Sequence, residues 1–323
     1  MHQKIRSLPL EQKIGQLFFI GLPGVALDAE AKKLLNEVSA GGVCLFTRNI
    51  REAEATRKLL DDLREFLPIK PILSLDQEGG LVDRLRRIIT PMPSASSLKT
   101  VENVEKFAEI TAGVVRILGF NTNFAPVVDI PTKESLNTQN GLQSRFLGET
   151  LADVILLSQT YLKTLQNNKT LACPKHFPGI GASVTDPHEE LPMVKSNQQY
   201  LAENDLIPYQ KLLSETHAVM IAHAAFPNLD LQERAANGKL LPSSLSFNIV
   251  TKLLRQEIGF KGLVVTDDLE MGAILKNYGI GEACKMAFRA GVDMFLICAN
   301  SEAVKEGYQA ITKAIKSGEI SEE

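Results

Sequence analysis

The segment from Lys175 to His188 holds the side chains of this sequence best suited to acid/base chemistry. Lys175 and His176 end an apolar run, and a Pro/Gly-containing loop leads on to Asp186 and His188, two residues apart. A histidine with its ordinary pKa of about 6.5 gives and takes a proton near neutral pH, and a neighbouring carboxylate fixes its tautomer. Asp186 and His188 are therefore a candidate acid/base dyad. The alternative is that Asp186 and the proline after it form only a turn, which both residue types favour.

Further polar side chains stand where other apolar runs end. They are Asp76 with Arg84, Asp129 with Arg145 further on, His223, and Asp267 with Asp268. Each has a structural explanation when taken alone, because Asp is a common helix N-cap and an Arg among other basic residues usually lies on a solvated face. Their joint occurrence at successive run ends favours one shared site.

The elements that must position these groups are eight short apolar runs alternating with segments of helical spacing. The runs cover residues 17–22, 42–46, 72–75, 123–130, 170–177, 218–222, 262–266 and 294–298, and the helical segments cover 27–38, 51–66, 101–118, 150–166, 199–215, 247–258, 281–290 and 302–316. Continuous apolar strands between amphipathic helices are typical of a parallel sheet covered by helices. Eight such units predict a closed α/β barrel of the (β/α)8 type. The alternative is an open doubly wound sheet, although no GxGxxG motif follows any run.

The length of the chain fits this fold. A chain of 323 residues could hold two ordinary domains, but (β/α)8 barrels often exceed about 250 residues as one domain. With no Pro/Ser-rich linker or low-complexity tract, we expect a single domain over residues 1–323. In such barrels the chemistry takes place at the carboxyl ends of the strands, where the polar residues collect.

Composition narrows the classes of function. The sequence is 44% hydrophobic and 23% charged, which is a globular composition, and its net charge of −3 provides no field for nucleic acid or anionic membranes. No apolar run approaches the roughly 20 residues that span a bilayer, and the first residues lack the apolar core of a signal peptide. Four scattered cysteines without a CxxC pair predict free thiols. We therefore expect a cytoplasmic protein with neither metal nor cofactor, and without nucleic-acid or membrane partners.

Taken together, the motifs resemble glycoside hydrolase family 3, and specifically its β-N-acetylglucosaminidases. The residues that carry the resemblance are Asp76-Gln77-Glu78-Gly79-Gly80 with Arg84, Phe124-Ala125-Pro126-Val127-Val128-Asp129, Lys175-His176-Phe177-Pro178-Gly179 with Asp186 and His188, and Val265-Thr266-Asp267-Asp268-Leu269-Glu270-Met271. The match runs in order from about residue 10 to the end. It implies a degenerate TIM barrel without the second domain of larger relatives.

The resemblance also implies roles for individual residues. Asp267 corresponds to the nucleophile, and His188 to the acid/base with Asp186 as its orienting partner. The residues that would hold the sugar hydroxyls and the N-acetyl group are Asp76, Arg84, Arg145, Lys175, His176 and His223. Retaining glycoside hydrolysis needs a carboxylate on one side of the anomeric carbon and a proton donor that later deprotonates water. A histidine donor avoids a second negative charge beside the nucleophile.

The substrate that the resemblance implies is an amino sugar. We expect a monomeric, exo-acting, retaining enzyme that removes terminal β-linked GlcNAc, with 1,6-anhydro-muropeptides of cell-wall recycling as the natural substrates. The sequence departs from the family pattern at Pro187, Ile180 and Leu81, where Ser, His and Arg are usual. It also reads Arg145-Phe146-Leu147-Gly148 in place of Arg-Ser-Phe-Gly.

Other functions stay open at this point. Within the family, the enzyme could be a β-GlcNAc phosphorylase or a chitooligosaccharide hydrolase. Outside it, a metal-dependent hydrolase could use His176, Asp186, His188 and His223 as zinc ligands. A sugar-binding barrel without catalytic activity is the remaining alternative.

Overall fold

The computed structural model of the chain describes residues 7–138, 141–183 and 190–322. The predicted dyad of Asp186 and His188 lies outside the described residues, together with Pro187.

Eight parallel strands form one sheet, and two further strands form a hairpin. In chain order they are β1 Phe18–Ile20, β2 Gly42–Cys44, β3 Ile72–Leu75, β4 Gln77–Gly79, β5 Val82–Asp83, β6 Thr122–Asn123, β7 Leu171–Ala172, β8 Ala218–Ile221, β9 Leu263–Asp268 and β10 Met294–Ile297. Strands β4 and β5 pair antiparallel. The other eight pair in the order β7-β6-β3-β2-β1-β10-β9-β8, and every neighbouring pair is parallel.

The two ends of this sheet meet between β7 and β8. Phe177 forms a parallel bridge with Ile221. The N–H of Phe177 donates to the carbonyl of Met220 at 2.9 Å, and the N–H of Ala222 donates to the carbonyl of Phe177 at 2.9 Å. The sheet is therefore a nearly closed (β/α)8 barrel, and the predicted fold class is confirmed.

Each predicted run overlaps one barrel strand, but the fourth run shares only Asn123 with its strand and is less regular than expected. Its ladder covers only Thr122–Asn123, followed by an isolated bridge between Val127 and Lys175. Pro126 lies between these two contacts and has no N–H to donate to a ladder. The predicted strand over residues 123–130 is therefore interrupted.

Helices cover the outside of the barrel. The α-helices are Leu10–Gly15, Ala29–Val38, Ala53–Phe66, Val101–Leu118, Lys133–Asn137, Leu151–Asn167, Gln198–Tyr200, Leu206–Leu212, Gly272–Leu275, Ile280–Ala290 and Ser301–Lys316. Leu201–Asp205 and Asn248–Glu257 are π-helical, and Ala95–Ser97, Leu213–Glu215 and Ser243–Leu245 are 3-10 turns. Several long helices begin at a capping side chain, as Thr100 and Thr150 show by accepting the N–H three residues later. Among the helices described, none is long and apolar enough to cross a membrane.

The hydrophobic core has two parts. The larger part lies between the strands and the helices, and a smaller cluster fills the barrel interior around Phe19, Phe124 and Met220. The rings of Phe19 and Phe124 meet edge to face at 5.3 Å. All four cysteines are buried and free, as predicted. Because the interior is packed, the barrel has no pore, and its carboxyl-terminal mouth is where a substrate can enter.

Candidate active site

A cavity of about 230 Å³ opens at the carboxyl ends of the barrel strands. The residues that line it are Phe46, Asp76, Glu78, Val82, Arg84, Arg145, Lys175, His176, Met220, Asp267, Asp268, Met271 and Leu296. Seven of the residues singled out from the sequence are among them: Asp76, Arg84, Arg145, Lys175, His176, Asp267 and Asp268. The structure thus brings together side chains that come from five separate segments of the chain.

Glu78 is a buried charge of the cavity. The Arg145 guanidinium binds it through two parallel hydrogen bonds, Nε to Oε2 at 2.8 Å and Nη2 to Oε1 at 2.9 Å. The ammonium of Lys175 lies 2.6 Å from Oε1. Burial raises the pKa of Glu78, but the charges of Arg145 and Lys175 outweigh it and hold the pKa well below the usual range. Glu78 is therefore an anion throughout the neutral pH range.

Lys175 bridges two carboxylates. Besides Glu78, it contacts Asp76, with Nζ 2.7 Å from Oδ1. Burial lowers the pKa of Lys175, but Asp76 and Glu78 raise it above the usual range, so the ammonium stays charged. Arg84 approaches the other oxygen of Asp76 at 3.7 Å and stacks over the ring of Phe46 at 5.1 Å. These groups form a wall of alternating charges, which suits hydrogen bonding to sugar hydroxyls.

His176 is held on both sides of its ring. Its Nδ1 lies 2.8 Å from Oδ2 of Asp129, and its Nε2 lies 3.3 Å from Nη2 of Arg145. A guanidinium can only donate, so the tautomer that satisfies both contacts carries its proton on Nδ1. The other oxygen of Asp129 accepts the N–H of Ile180 at 2.9 Å. Asp129 therefore fixes both the imidazole and the loop that follows it.

Asp267 lies at the carboxyl end of β9, where its side chain reaches the cavity. Its Oδ1 accepts the N–H of Asp268 at 2.8 Å. Burial raises the pKa of Asp267, but the imidazoles of His176 and His223 and the ammonium of Lys175 lower it below the usual range. At neutral pH this residue is an ionised carboxylate on a rigid strand end, which is what nucleophilic attack on a sugar requires.

His223 lies behind the cavity rather than in its lining. Its Nδ1 is 2.7 Å from the hydroxyl of Ser244, and its Nε2 is 3.0 Å from the backbone carbonyl of Asp268. The carbonyl can only accept, so Nε2 donates to it and Nδ1 accepts from Ser244. Burial lowers the pKa of His223, which favours this neutral form. The geometry supports a role in positioning the Asp267–Asp268 segment, and direct binding of substrate by His223 stays a prediction.

No individual role was predicted for three acids of this region, Glu78, Asp129 and Asp268, although Asp129 and Asp268 were among the polar residues expected at strand ends. One signal was present for Glu78, because residues two apart on a strand face the same side and Glu78 follows Asp76 at that spacing. Asp268 lines the cavity, and burial raises its pKa to about 7, with the charges of Glu270 and Asp267 adding to that effect. Its Oδ1 accepts the N–H of Glu270 at 3.0 Å.

Metal ligation is not supported by this part of the site. Within residues 7–138, 141–183 and 190–322, no group of three or more His, Cys, Asp or Glu side chains is placed to hold a metal ion. Both ring nitrogens of His176 and of His223 contact protein groups. The predicted zinc site would also need Asp186 and His188, which lie outside the described residues.

Comparison with known proteins identifies the class and then the family. The solved structures that resemble this chain include a glycoside hydrolase family 3 β-N-acetylglucosaminidase from Paenibacillus sp., with a TM-score of 0.90, 35% identity and 98% of this chain covered. This chain spans 60% of the length of that structure. The family profile described as "Glycosyl hydrolase family 3 N terminal domain" matches residues 9–323. The chain belongs to this family of glycoside hydrolases, as its motifs predicted.

Further relatives agree with this assignment. A protein named β-hexosaminidase from Psychromonas ingrahamii is 28% identical over 289 residues, which cover 86% of this chain and 81% of the relative. The structure of NagZ from Neisseria gonorrhoeae, in complex with N-trifluoroacetyl-D-glucosamine, is 27% identical with a TM-score of 0.81. It is matched over 91% of this chain and 84% of that one. The similarity therefore extends over most of both chains.

Proposed function

We propose that this protein is an exo-acting, retaining β-N-acetylglucosaminidase that removes terminal β-linked GlcNAc. The observation that carries the proposal is the placement of Asp267. It is an ionised carboxylate in a small cavity that Asp76, Lys175 and Arg84 also line, so that hydroxyl-binding groups surround it. The names of the β-hexosaminidase and β-N-acetylglucosaminidase relatives support the same substrate class.

The proposed reaction has two steps. In the first, Asp267 attacks the anomeric carbon while His188 gives its proton to the leaving oxygen, which forms a covalent glycosyl-enzyme and releases the aglycone. In the second, His188 takes a proton from water, and the resulting hydroxide displaces Asp267 from the anomeric carbon. Asp186 orients the imidazole throughout. Two displacements on opposite faces release GlcNAc with retained configuration.

The charged wall of the cavity supports a preference for a polar sugar. Asp76, Lys175, Arg84, Arg145 and His176 present groups that can form charge-assisted hydrogen bonds to hydroxyls and an acetamide. A site that pairs buried polar groups with its substrate discriminates against analogues that lack them by factors of about 10⁴. We therefore expect β-glucosides to be poor substrates.

For the natural substrate we propose 1,6-anhydro-muropeptides of bacterial cell-wall recycling, with a monomeric enzyme acting in the cytoplasm. The support lies in the family resemblance and in the small cavity, which suits removal of one terminal residue. The GlcNAc half of the substrate has more support than the rest, because the charged groups of the cavity match an amino sugar.

The deciding experiment is hydrolysis of an aryl β-GlcNAc glycoside beside the matching β-glucoside. We expect rapid release of the aryl group from the first and little from the second. Equal rates, or no hydrolysis of either, would contradict the proposal. GlcNAc release from anhydro-muropeptides and from chitobiose then separates cell-wall recycling from chitin-fragment metabolism. The same assay with added phosphate distinguishes hydrolysis from phosphorolysis by its product.

The role of His188 needs a test of its own. His188→Ala should lose more rate on glycosides with poor leaving groups than on activated aryl glycosides, because good leaving groups need little protonation. Asp186→Ala should show the same pattern more mildly. Equal losses on both kinds of substrate would mean that His188 binds or shapes the loop without transferring a proton.

A further inference from the structure

The charged wall of the cavity is built around one buried glutamine, Gln77. Its neighbours Asp76 and Glu78 both line the cavity, while Gln77 is fully buried and its side chain does not. Its Nε2 donates to Oδ1 of Asp83 at 2.9 Å. Its Oε1 accepts the backbone N–H of Arg84 at 2.9 Å. The Gln77 side chain thus ties β4 to β5 and fixes the point from which Arg84 extends.

The backbone of Gln77 is held by a second amide, that of Asn123 at the end of β6. Oδ1 of Asn123 accepts the N–H of Gln77 at 2.9 Å, and its Nδ2 donates to the carbonyl of Gln77 at 3.0 Å. The Tyr161 hydroxyl donates to the same carbonyl at 3.3 Å and lies 3.2 Å from Nδ2. Strand β3 ends at Leu75, so Gln77 lies beyond the regular ladder. The Asn123 side chain continues the pairing that the ladder no longer provides.

We propose that the amide pair of Asn123 and Gln77 is the positioning element that sets sugar affinity, because it holds Asp76, Glu78 and Arg84 in register with Lys175. This inference rests on the proposed function. Both residues are fully buried, so neither touches the substrate. They influence substrate binding indirectly, by positioning Asp76, Glu78 and Arg84.

The reason for a large effect is the tight geometry of the wall. Lys175 lies 2.7 Å from Asp76 and 2.6 Å from Glu78, so its ammonium can satisfy both carboxylates only while they keep their spacing. A shift of about 1 Å in groups that position a substrate can cost a factor of about 100 in rate. Loss of the Asn123 amide also leaves the buried N–H and carbonyl of Gln77 without this partner, which favours such a shift.

The chain offers a matched control two residues away. Asn121 makes the same kind of contact with β3, because its Oδ1 accepts the N–H of Leu73 at 2.9 Å and its Nδ2 donates to the carbonyl of Pro71 at 3.2 Å. This pair lies at the amino-terminal end of β3, away from the cavity. Asn121→Ala and Asn123→Ala therefore remove similar contacts at opposite ends of one strand pair.

The test compares KM and kcat of these two variants on an aryl β-GlcNAc glycoside. For Asn123→Ala we expect KM to rise at least about tenfold, the equivalent of one or two lost hydrogen bonds. We expect a smaller change in kcat, because Asp267 on β9 is not touched. Asn121→Ala should keep the wild-type KM, even if it lowers the melting temperature. An unchanged KM in Asn123→Ala, or equal KM changes in both variants, would overturn the proposal.

Two further measurements keep the test decisive. Tyr161→Phe removes only one hydroxyl from the same cluster and should raise KM by about threefold, which decides the matter if Asn123→Ala does not fold. Crystal structures of the variants should show Asp76 displaced from Lys175 in Asn123→Ala and undisturbed in Asn121→Ala. This readout needs no activity, so it separates failure of the positioning role from failure of the proposed hydrolysis. An undisplaced Asp76 in Asn123→Ala would contradict the proposal.

Discussion

Glu78 and Asp205 are both buried carboxyl groups, with relative exposures of 5% and 2%, yet their pKa values move in opposite directions. Glu78 is bound by Arg145 and Lys175, which hold its pKa well below the usual range. Neither oxygen of Asp205 has a hydrogen-bond partner in the described part of the chain. Burial, together with the charge of Asp129, raises the pKa of Asp205 to about 8. The partners of a buried acid therefore decide its charge, and burial alone does not.

The two acids also differ in their place in the fold. Glu78 lines the cavity, whereas Asp205 ends the π-helical turn Leu201–Asp205 and lies against Gly179. A Cβ on Gly179 would come within 2.8 Å of the Asp205 Cβ, so only glycine allows this approach. Glu78 and Lys175 thus stay charged through the neutral range, while Asp205 takes up a proton when the chain folds.

Among the substitutions that test this comparison, Asp267→Asn in the cavity should have the largest effect. The amide has the same shape as the carboxylate but is a poor nucleophile, so turnover should fall by more than about 10³-fold. The melting temperature should stay near that of the wild type, and this is the control for folding. Activity close to that of the wild type would remove Asp267 from the mechanism.

Glu78→Gln should show how strongly the pairing of charges contributes to stability. The substitution leaves Arg145 and Lys175 buried without one carboxylate, and we expect a loss of about 3 kcal/mol in the free energy of unfolding. Because the folded pKa of Glu78 is lowered, its contribution is present above the unfolded pKa and is lost as the pH falls below it. Urea unfolding followed from pH 8 down to about pH 3 measures this dependence, because the loss lies below the ordinary pKa of 4.5. A variant as stable as the wild type at pH 7 would mean that the network contributes little.

Asp205→Asn should change the free energy of unfolding in the opposite direction and make the protein more stable. The folded pKa of about 8 lies above the ordinary value of 3.8, so the wild type loses stability as the pH rises between these values. Asparagine has no charge to bury, and we expect the variant to be more stable than the wild type by more than about 2 kcal/mol at pH 8.5. The difference should shrink towards pH 4. The exposed Asp230→Asn is the matched control, and parallel pH profiles for wild type and Asp205→Asn would refute the comparison.

The smallest effect is expected for an exposed ion pair, that of Lys99 with Glu149. Their side chains are 60% and 61% exposed, and such pairs contribute little in water. Glu149→Gln should change the free energy of unfolding by less than about 0.5 kcal/mol, and added salt should abolish the difference. A change as large as that of Glu78→Gln would show that burial does not distinguish the two pairs.

Much of the fold could be predicted from the sequence because parallel strands of a barrel are buried on both faces. Each appears as a continuous apolar run, and each predicted run overlaps one strand of the sheet. The pattern of apolar residues does not indicate the interruption after Asn123, because it contains no information on backbone hydrogen bonding. Pro126 has no N–H to donate to the ladder. The π-helical stretch Asn248–Glu257 was missed for a similar reason, since its apolar spacing is close to that of an α-helix.

The candidate site was predicted in part. Residues at the carboxyl ends of strands converge in any barrel, which is why Asp76, Lys175 and Asp267 could be expected to meet. The ion pair between Lys175 and Asp76 could not be predicted, because the two residues are 99 positions apart and no local spacing connects them. His223 illustrates the same limit, since its partners Ser244 and the carbonyl of Asp268 come from later segments.

The closure of the barrel between β7 and β8 couples substrate binding to the stability of the sheet. The segment that completes the circle runs through Lys175 and His176 to Phe177, so the side chains that reach into the cavity and the amides that join the two ends belong to the same few residues. A sugar bound to Lys175 and His176, as proposed above, would stabilise this join, because a ligand that binds only the folded state stabilises it. Amide hydrogen exchange at Phe177 and Ala222 should therefore slow when the cavity is filled. Opening of the sheet at this join is then coupled to release of the sugar.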